Sequence, residues 1–286
     1  MERFINPFSD YGFKVIFGRE DSKPLLISFL NSLLTSEKEI CDLTYINPAL
    51  LPEMETGRGT IYDVLCTTAD GEQIIVEMQY KEQAYFKERA LYYLSRAIAN
   101  QGERGSSWQF KVKAVYGVFF MNFCLEGAGK FRTDVILADR DTGALFSDKL
   151  RQVFLALPLF TKKESECASF FDCWIYTLKN MEYLKDLPFQ PYMAVFKQLE
   201  QITDIASLTK EERLNYDESI KIYRDNLAVI DFAEKKARQE GVAEGEARGE
   251  IKGKLFTASN LKAAGVSIEL IAQVTGLSVD EIRNCK

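Results

Sequence analysis

Residues 60–80 read TIYDVLCTTADGEQIIVEMQY. Two runs rich in β-branched and apolar residues flank Ala69-Asp70-Gly71, a pattern that predicts a β-hairpin. Both runs carry polar groups where a packed core wants none: Asp63 on the first, Glu77 and Gln79 on the second. Side chains alternate faces along a strand, so Glu77 and Gln79 point the same way, beside Ile75. The turn decides whether Asp63 joins them. A two-residue loop at Asp70-Gly71 sets Asp63 opposite Met78, on the wrong face. A three-residue loop with Gly71 left-handed pairs Thr68 with Glu72 and sets Asp63 opposite Glu77, about 5.5 Å away between backbones. Like charges placed there repel. A divalent cation turns that cost into a binding site.

Asp63, followed fourteen residues later by Glu77-Met78-Gln79 on a hairpin, resembles the active-site signature of PD-(D/E)XK nucleases. More narrowly, the chain resembles the Rpn family of recombination-promoting nucleases and transposase-like proteins. The opening NPFSDYGFKVIFG (6–18), the segments VYGVFFMNF (115–123) and FRTDVILADRDTG (131–143), and a glycine-punctuated charged tail carry the likeness. It covers about residues 4–160 well and the rest loosely. The resemblance implies an α/β fold of the restriction-endonuclease-like type: a mixed central sheet flanked by helices, with a C-terminal helical extension. It implies a metal-dependent DNA endonuclease in which Asp63 and Glu77, with the backbone carbonyl of Met78, hold Mg²⁺ or Mn²⁺. Gln79 stands where many relatives have lysine. An amide orients water or a phosphate oxygen but carries no charge, and Lys81, two residues on and on the same face, is expected to supply it. An acidic residue on the first helix of such enzymes often faces the metal site, and Asp10 matches that place. The family label adds recombination and mobile elements. Two alternatives stay open: a catalytically weak DNA-binding accessory protein, and a non-enzymatic helical scaffold.

The bulk composition narrows the chemistry. At 286 residues, 47% hydrophobic and 27% charged, the chain has room for one large core, or for a domain and an appendage, in an ordinary water-soluble protein. No run approaches the ~18 apolar residues that span a bilayer, and the first residues lack a signal-peptide pattern, so a cytoplasmic protein without a membrane partner is expected. Six scattered cysteines without a CxxC pair read as reduced thiols. There is no histidine. Ser-His-Asp triads, Cys-His dyads and histidine general acids are therefore excluded. Carboxylates with a hard cation such as Mg²⁺ remain the natural choice. A net charge of −6 opposes indiscriminate phosphate binding. Residues 81–113, however, hold seven basic and three acidic side chains directly after the hairpin. Among them Lys81, Lys87, Arg89 and Arg96 are the candidate nucleic-acid contacts.

Elsewhere the pattern sets out the elements. Residues 6–17 read as a helix with Asp10 and Lys14 one turn apart, and 25–34 as another after Pro24. Residues 40–51 supply a first strand, and Gly57-Arg58-Gly59 a loop before the hairpin. Residues 83–101 form a helix on which Arg89, Tyr92, Tyr93 and Arg96 lie near one another. Those side chains either hold phosphate and stack on bases or pack at the edge of the core. Residues 112–123 read as a buried central strand, 131–139 as its neighbour and 152–159 as a further strand, with Asp134 and Asp139 bordering strands. The expected domains are 1–160 nuclease-like, 161–240 a helical extension with helices at 167–184, 192–202 and 210–239, and 241–286 a linker and small tail. Gly241, Gly245, Gly249 and Gly253 recur every fourth residue. They mark either a solvated flexible linker or a stripe for a homodimer. Residues 265–282 resemble a helix-turn-helix, better suited to capping or interaction than to reading DNA, since only Arg283 and Lys286 supply positive charge there.

Overall fold

Gly71 closes the hairpin at φ +81°, the left-handed conformation that a residue without Cβ adopts at no steric cost. Its N–H donates to the Thr68 carbonyl (2.9 Å), and the Thr68 N–H donates to the Glu72 carbonyl (2.8 Å). The loop is thus the three-residue form. Strands β2 (Val64–Thr68) and β3 (Gln73–Gln79) pair antiparallel, with Val64 opposite Val76 and Thr67 opposite Gln73. Carried one residue further, that register sets Asp63 opposite Glu77.

The computed structural model describes residues 2–35, 37–46, 62–102, 109–125, 127 and 129–285. The expected loop at Gly57-Arg58-Gly59 lies outside them, as do Arg104 and Lys286. Six strands form one mixed sheet in the order β1-β2-β3-β4-β6-β5. Here β1 is Leu43–Tyr45, β4 Val115–Met121, β5 Arg132–Ala138 and β6 Leu145–Ala156. Strands β3, β4 and β6 run parallel, while β1, β2 and β5 add antiparallel. Two expectations change. Strand β5 does not neighbour β4: the Thr142-Gly143 turn folds it back on β6, and β6 takes the central place. Strand β6 also begins at Leu145 rather than 152, because its first residues form an exposed hairpin arm without a buried face to mark them in the sequence. Of the expected first strand only Leu43–Tyr45 is extended among the described residues.

Alternation along the strands divides the core in two. Val64, Cys66, Ile74, Val76, Val118, Phe120, Val153 and Leu155 face one side. There they meet α1 (Asp10–Phe17), α2 (Lys23–Leu33), α4 (Phe170–Asn180) and α5 (Met193–Thr203) through Phe13, Phe17, Phe29, Trp174 and Phe196. Leu65, Ile75, Phe119 and Phe154 face the other side, covered by Phe86, Ala90, Leu94 and Ala97 of α3 (Phe86–Ala99). Gly117 on β4 permits that close approach, since a Cβ there would lie 2.7 Å from both Leu94 Cδ1 and the Phe119 ring. Helix α3 is the crossover that parallel strands β3 and β4 require.

Residues 1–224 form one unit, so the helices after 161 pack into the same core as the sheet. The second unit comprises residues 225–286. Helix α6 (Lys210–Ala263) runs without a break through the four periodic glycines, so residues 241–253 are helical and not a flexible linker. Each glycine costs about 1 kcal/mol relative to alanine. Pairs one turn apart, Glu244 with Arg248 (2.6 Å) and Glu250 with Lys254 (2.7 Å), offset part of that cost. Nothing lies within 4 Å of where their Cβ atoms would stand. In the tail, α7 (Ile268–Thr275) and α8 (Val279–Asn284) are capped by Ser267 and Ser278 and turn at left-handed Gly276. They enclose a small core of Ala258, Ile271, Leu277 and Ile282. All six cysteines are free. Among the described residues no helix is long and apolar enough to cross a membrane.

Candidate active site

Asp63 and Glu77 hold each other's strands. The Asp63 N–H donates to Glu77 Oε1 (3.1 Å), and the Met78 N–H donates to Asp63 Oδ2 (2.8 Å). Each carboxylate thereby replaces a backbone bond at the point where β2 begins, and each spends only one oxygen doing so. Among the described residues neither Asp63 Oδ1 nor Glu77 Oε2 accepts a hydrogen bond. Glu77 is 7% exposed and Asp63 half-buried. Ile75 and Leu65 lie beside them on the face covered by α3.

Burial in apolar surroundings disfavours the ionised form. It is the main reason that both carboxyls are pushed up, Glu77 to about 8 with the Asp63 charge adding to the effect. At Asp63 the Met78 N–H opposes burial, Asp10 adds repulsion, and Lys14 and Arg89 relieve it. Helices α1 and α3 thus bring their charges to bear on one carboxylate.

Local sequence explains why α1 starts where it does. Ser9 caps the helix, its Oγ accepting from the Gly12 N–H (3.0 Å) and donating to the Asn6 carbonyl (2.8 Å). The Tyr80 hydroxyl, just past β3, donates to the Phe8 carbonyl and ties the end of the hairpin to the start of α1. Tyr223 of α6 packs its ring 4.9 Å from that of Tyr80.

The expected site residues separate into those the fold brings together and those it does not. Asp63, Glu77 and Gln79 lie on one face, with the Met78 backbone between them. Asp10 is exposed and paired with Lys14 at 3.0 Å. It influences Asp63 by charge, but among the described residues no three Asp, Glu or Cys side chains converge as a cation cage. Strand β3 ends at Gln79, so its alternation does not carry on to Lys81, whose side chain is exposed; the Lys81 carbonyl accepts from the Gln79 amide at 3.4 Å. Lys87 is exposed. Arg89 is half-buried, and its guanidinium binds the side-chain oxygens of Gln79 and Gln83. Arg96 is 9% exposed, with its guanidinium 6.0 Å from the Tyr92 ring centroid, so it belongs to the edge of the core rather than to a basic surface. Lys113 packs near Gly71, at the turn end of the hairpin, about 20 Å along β3 from Gln79. The basic residues described in 81–113 therefore do not form one patch.

Tyr80 and the Arg89–Gln79 contact escaped the sequence reading, in which Lys14 figured only as the partner of Asp10. Tyr80 and Lys14 reach the site only through the packing of α1 on the sheet. Arg89 and Gln79 are joined across a strand-to-helix junction, which no periodicity reports. Tyr85, 79% exposed and left-handed at φ +67° ahead of α3, was likewise silent.

The family model for PD-(D/E)XK nuclease family transposases matches residues 7–233. The chain belongs to that family. No curated protein and no solved structure matches it. The match runs from the residues before α1 into α6 and so includes every element that positions Asp63, Glu77 and Gln79.

Proposed function

We propose that this chain is a metal-dependent DNA endonuclease that hydrolyses phosphodiester bonds, with a role in recombination or the movement of genetic elements. The observation that carries the reading is the reciprocal clamp of Asp63 and Glu77. Two carboxylates, one nearly inaccessible, face each other with one unused oxygen apiece, and among the described residues no third acidic side chain converges with them. Such a pair is costly to ionise alone and favourable beside a hard divalent cation. In a strand the N–H and C=O of a residue point to the same edge. The Met78 N–H meets Asp63, so its carbonyl is directed to that side as well. Asp63, Glu77 and the Met78 carbonyl therefore fit Mg²⁺ or Mn²⁺. When bound, such an ion polarises the phosphate and lowers the pKa of a bound water.

The protein's own groups do the rest. The clamp fixes both carboxylates before substrate arrives, so no reorganisation is needed during reaction. The Gln79 amide orients a water or a phosphate oxygen. Helix α3 closes one side of the pair with Phe86 and Ala90. Exposed Lys81 and Lys87 gather the DNA backbone by charge, without reading sequence. In the reaction the water oxygen bonds to phosphorus and gives its proton to solvent, while the bond from phosphorus to the leaving sugar oxygen breaks and that oxygen takes a proton from solvent. The description of the family as transposases supports the link to mobile elements.

The test is cleavage of supercoiled plasmid with Mg²⁺ or Mn²⁺, against EDTA, for the wild type beside Asp63→Ala and Glu77→Ala. Metal-dependent nicking that both variants lose supports the reading. A wild type that binds DNA but never cuts it, or variants that cut equally well, would overturn it.

A further inference from the structure

Gln79 leaves the strand without a cation beside the carboxylate pair, yet the site is not without positive charge. Arg89, on the first turn of α3, reaches back over the end of β3. Its two terminal nitrogens divide between the side-chain oxygens of Gln79 and Gln83. Its guanidinium carbon lies 5.7 Å from the ring centroids of both Phe86 and Tyr93. Among the described residues no carboxylate forms an ion pair with it. Surface arginines are ordinarily mobile or ion-paired. This one is held by two neutral amides and two aromatic rings, which fix its direction without neutralising its charge. The charge is felt at both carboxylates, where it favours ionisation of Asp63 and of Glu77.

Building on the metal-dependent hydrolase reading, we infer that Arg89 is the phosphate-binding cation of this site, delivered from α3 in place of a lysine on β3, with Gln79 and Gln83 as its positioning residues. The chemistry favours arginine over lysine. A planar guanidinium spans two amide oxygens, stacks beside aromatic rings and still presents N–H donors to a phosphate oxygen; an ammonium group cannot do all three. Gln79 thereby acquires a purpose: a lysine at that position would repel the guanidinium that the amide now holds. The placement also explains why the basic side chains of residues 81–113 need not form a surface patch. A single fixed cation at the reacting phosphate contributes more than several solvated ones.

The test moves the cation back to the strand. Full-length wild type, Arg89→Met, Gln79→Lys and the double variant Gln79→Lys/Arg89→Met are compared in single-turnover cleavage with Mn²⁺. Thermal melts establish that each is folded. Arg89→Met is expected to be slower by roughly 10²-fold, and the double variant to recover at least about tenfold of that loss. A residue that merely supports α3 would not be rescued by a lysine at position 79. Wild-type rates in Arg89→Met, or a folded double variant no faster than Arg89→Met, would overturn the inference. A second readout does not depend on cleavage: binding of a short DNA duplex in Ca²⁺ as a function of salt. Loss of one phosphate contact should reduce the log–log slope by about 0.9, and an unchanged slope counts against Arg89. The two readings fail differently. If Asp63→Ala cuts like the wild type, the metal site is wrong; if it is inactive while Arg89→Met is not, only the role of Arg89 is wrong.

Discussion

Replacing Glu77 with glutamine should stabilise the metal-free protein, although it removes a residue assigned to the site. The side chain is 7% exposed and faces Asp63, and its carboxyl is pushed up to about 8 by burial and by that neighbour. A folded-state pKa above the unfolded value means that the native state holds the proton longer. The associated stability is complete below the ordinary glutamate range and is lost as pH rises towards about 8. At about 1.4 kcal/mol per tenfold change in proton affinity, ionising Glu77 costs the fold on the order of 4 kcal/mol at about pH 7.5. Glutamine has no such proton equilibrium. Its oxygen still accepts from the Asp63 N–H, and its amide can donate to the unused Asp63 Oδ1. In EDTA the Glu77→Gln melting temperature should match the wild type near pH 4.5 and exceed it by roughly 8–16 °C at about pH 8, since one kcal/mol moves a domain of this size by roughly 2–4 °C. Millimolar Mn²⁺ should raise the wild type and leave the variant nearly unmoved. A gap that does not widen with pH, or a variant less stable than the wild type at pH 8, would refute the account of the buried pair.

The proposed metal site would draw on the same equilibrium. Because the carboxyls of Asp63 and Glu77 are raised, a cation held there would displace a proton, so affinity should increase with pH up to about 8, and calorimetry in buffers of different ionisation heat should show proton release. Gly71→Ala forces a side chain into the left-handed region and should cost about 1–2 kcal/mol in denaturant melts; a neutral result would mean that the turn does not set the register. Gly117→Ala drives a methyl group into Leu94 and Phe119 and should cost about 1–3 kcal/mol, with slower cleavage as α3 and Arg89 shift. Gly245→Ala meets nothing within 4 Å and should strengthen α6 by up to about 1 kcal/mol, seen as slower amide exchange. A loss of stability there would point to a packed glycine face.

The sequence by itself determined what is local. Alternation fixed the two strands of the hairpin, Gly71 was the residue that allowed a three-residue loop, and the period-2 rule placed Glu77, Gln79 and Ile75 on one face. The carboxylate pair was legible for that reason: Asp63 and Glu77 are related by one turn and one register. The absence of histidine, too, could be read without a fold. What tertiary structure decided are relations that no short-range period encodes. In the order β4-β6-β5 the strand that follows β4 in the chain pairs with β6 and not with β4, while β6 returns parallel to β4; alternation within residues 131–139 does not say which neighbour they take. Lys81 was expected beside Gln79 because alternation was carried past the end of the strand, and the strand stops where β4 and β6 stop. Arg89 reaches Gln79 only because α3 packs on the face that Gly117 leaves open. Arg96, one helical stripe further on, is turned into the core by the same packing. A charge count along residues 81–113 cannot separate those two arginines, since burial is a property of the surface opposite and not of the chain that carries them.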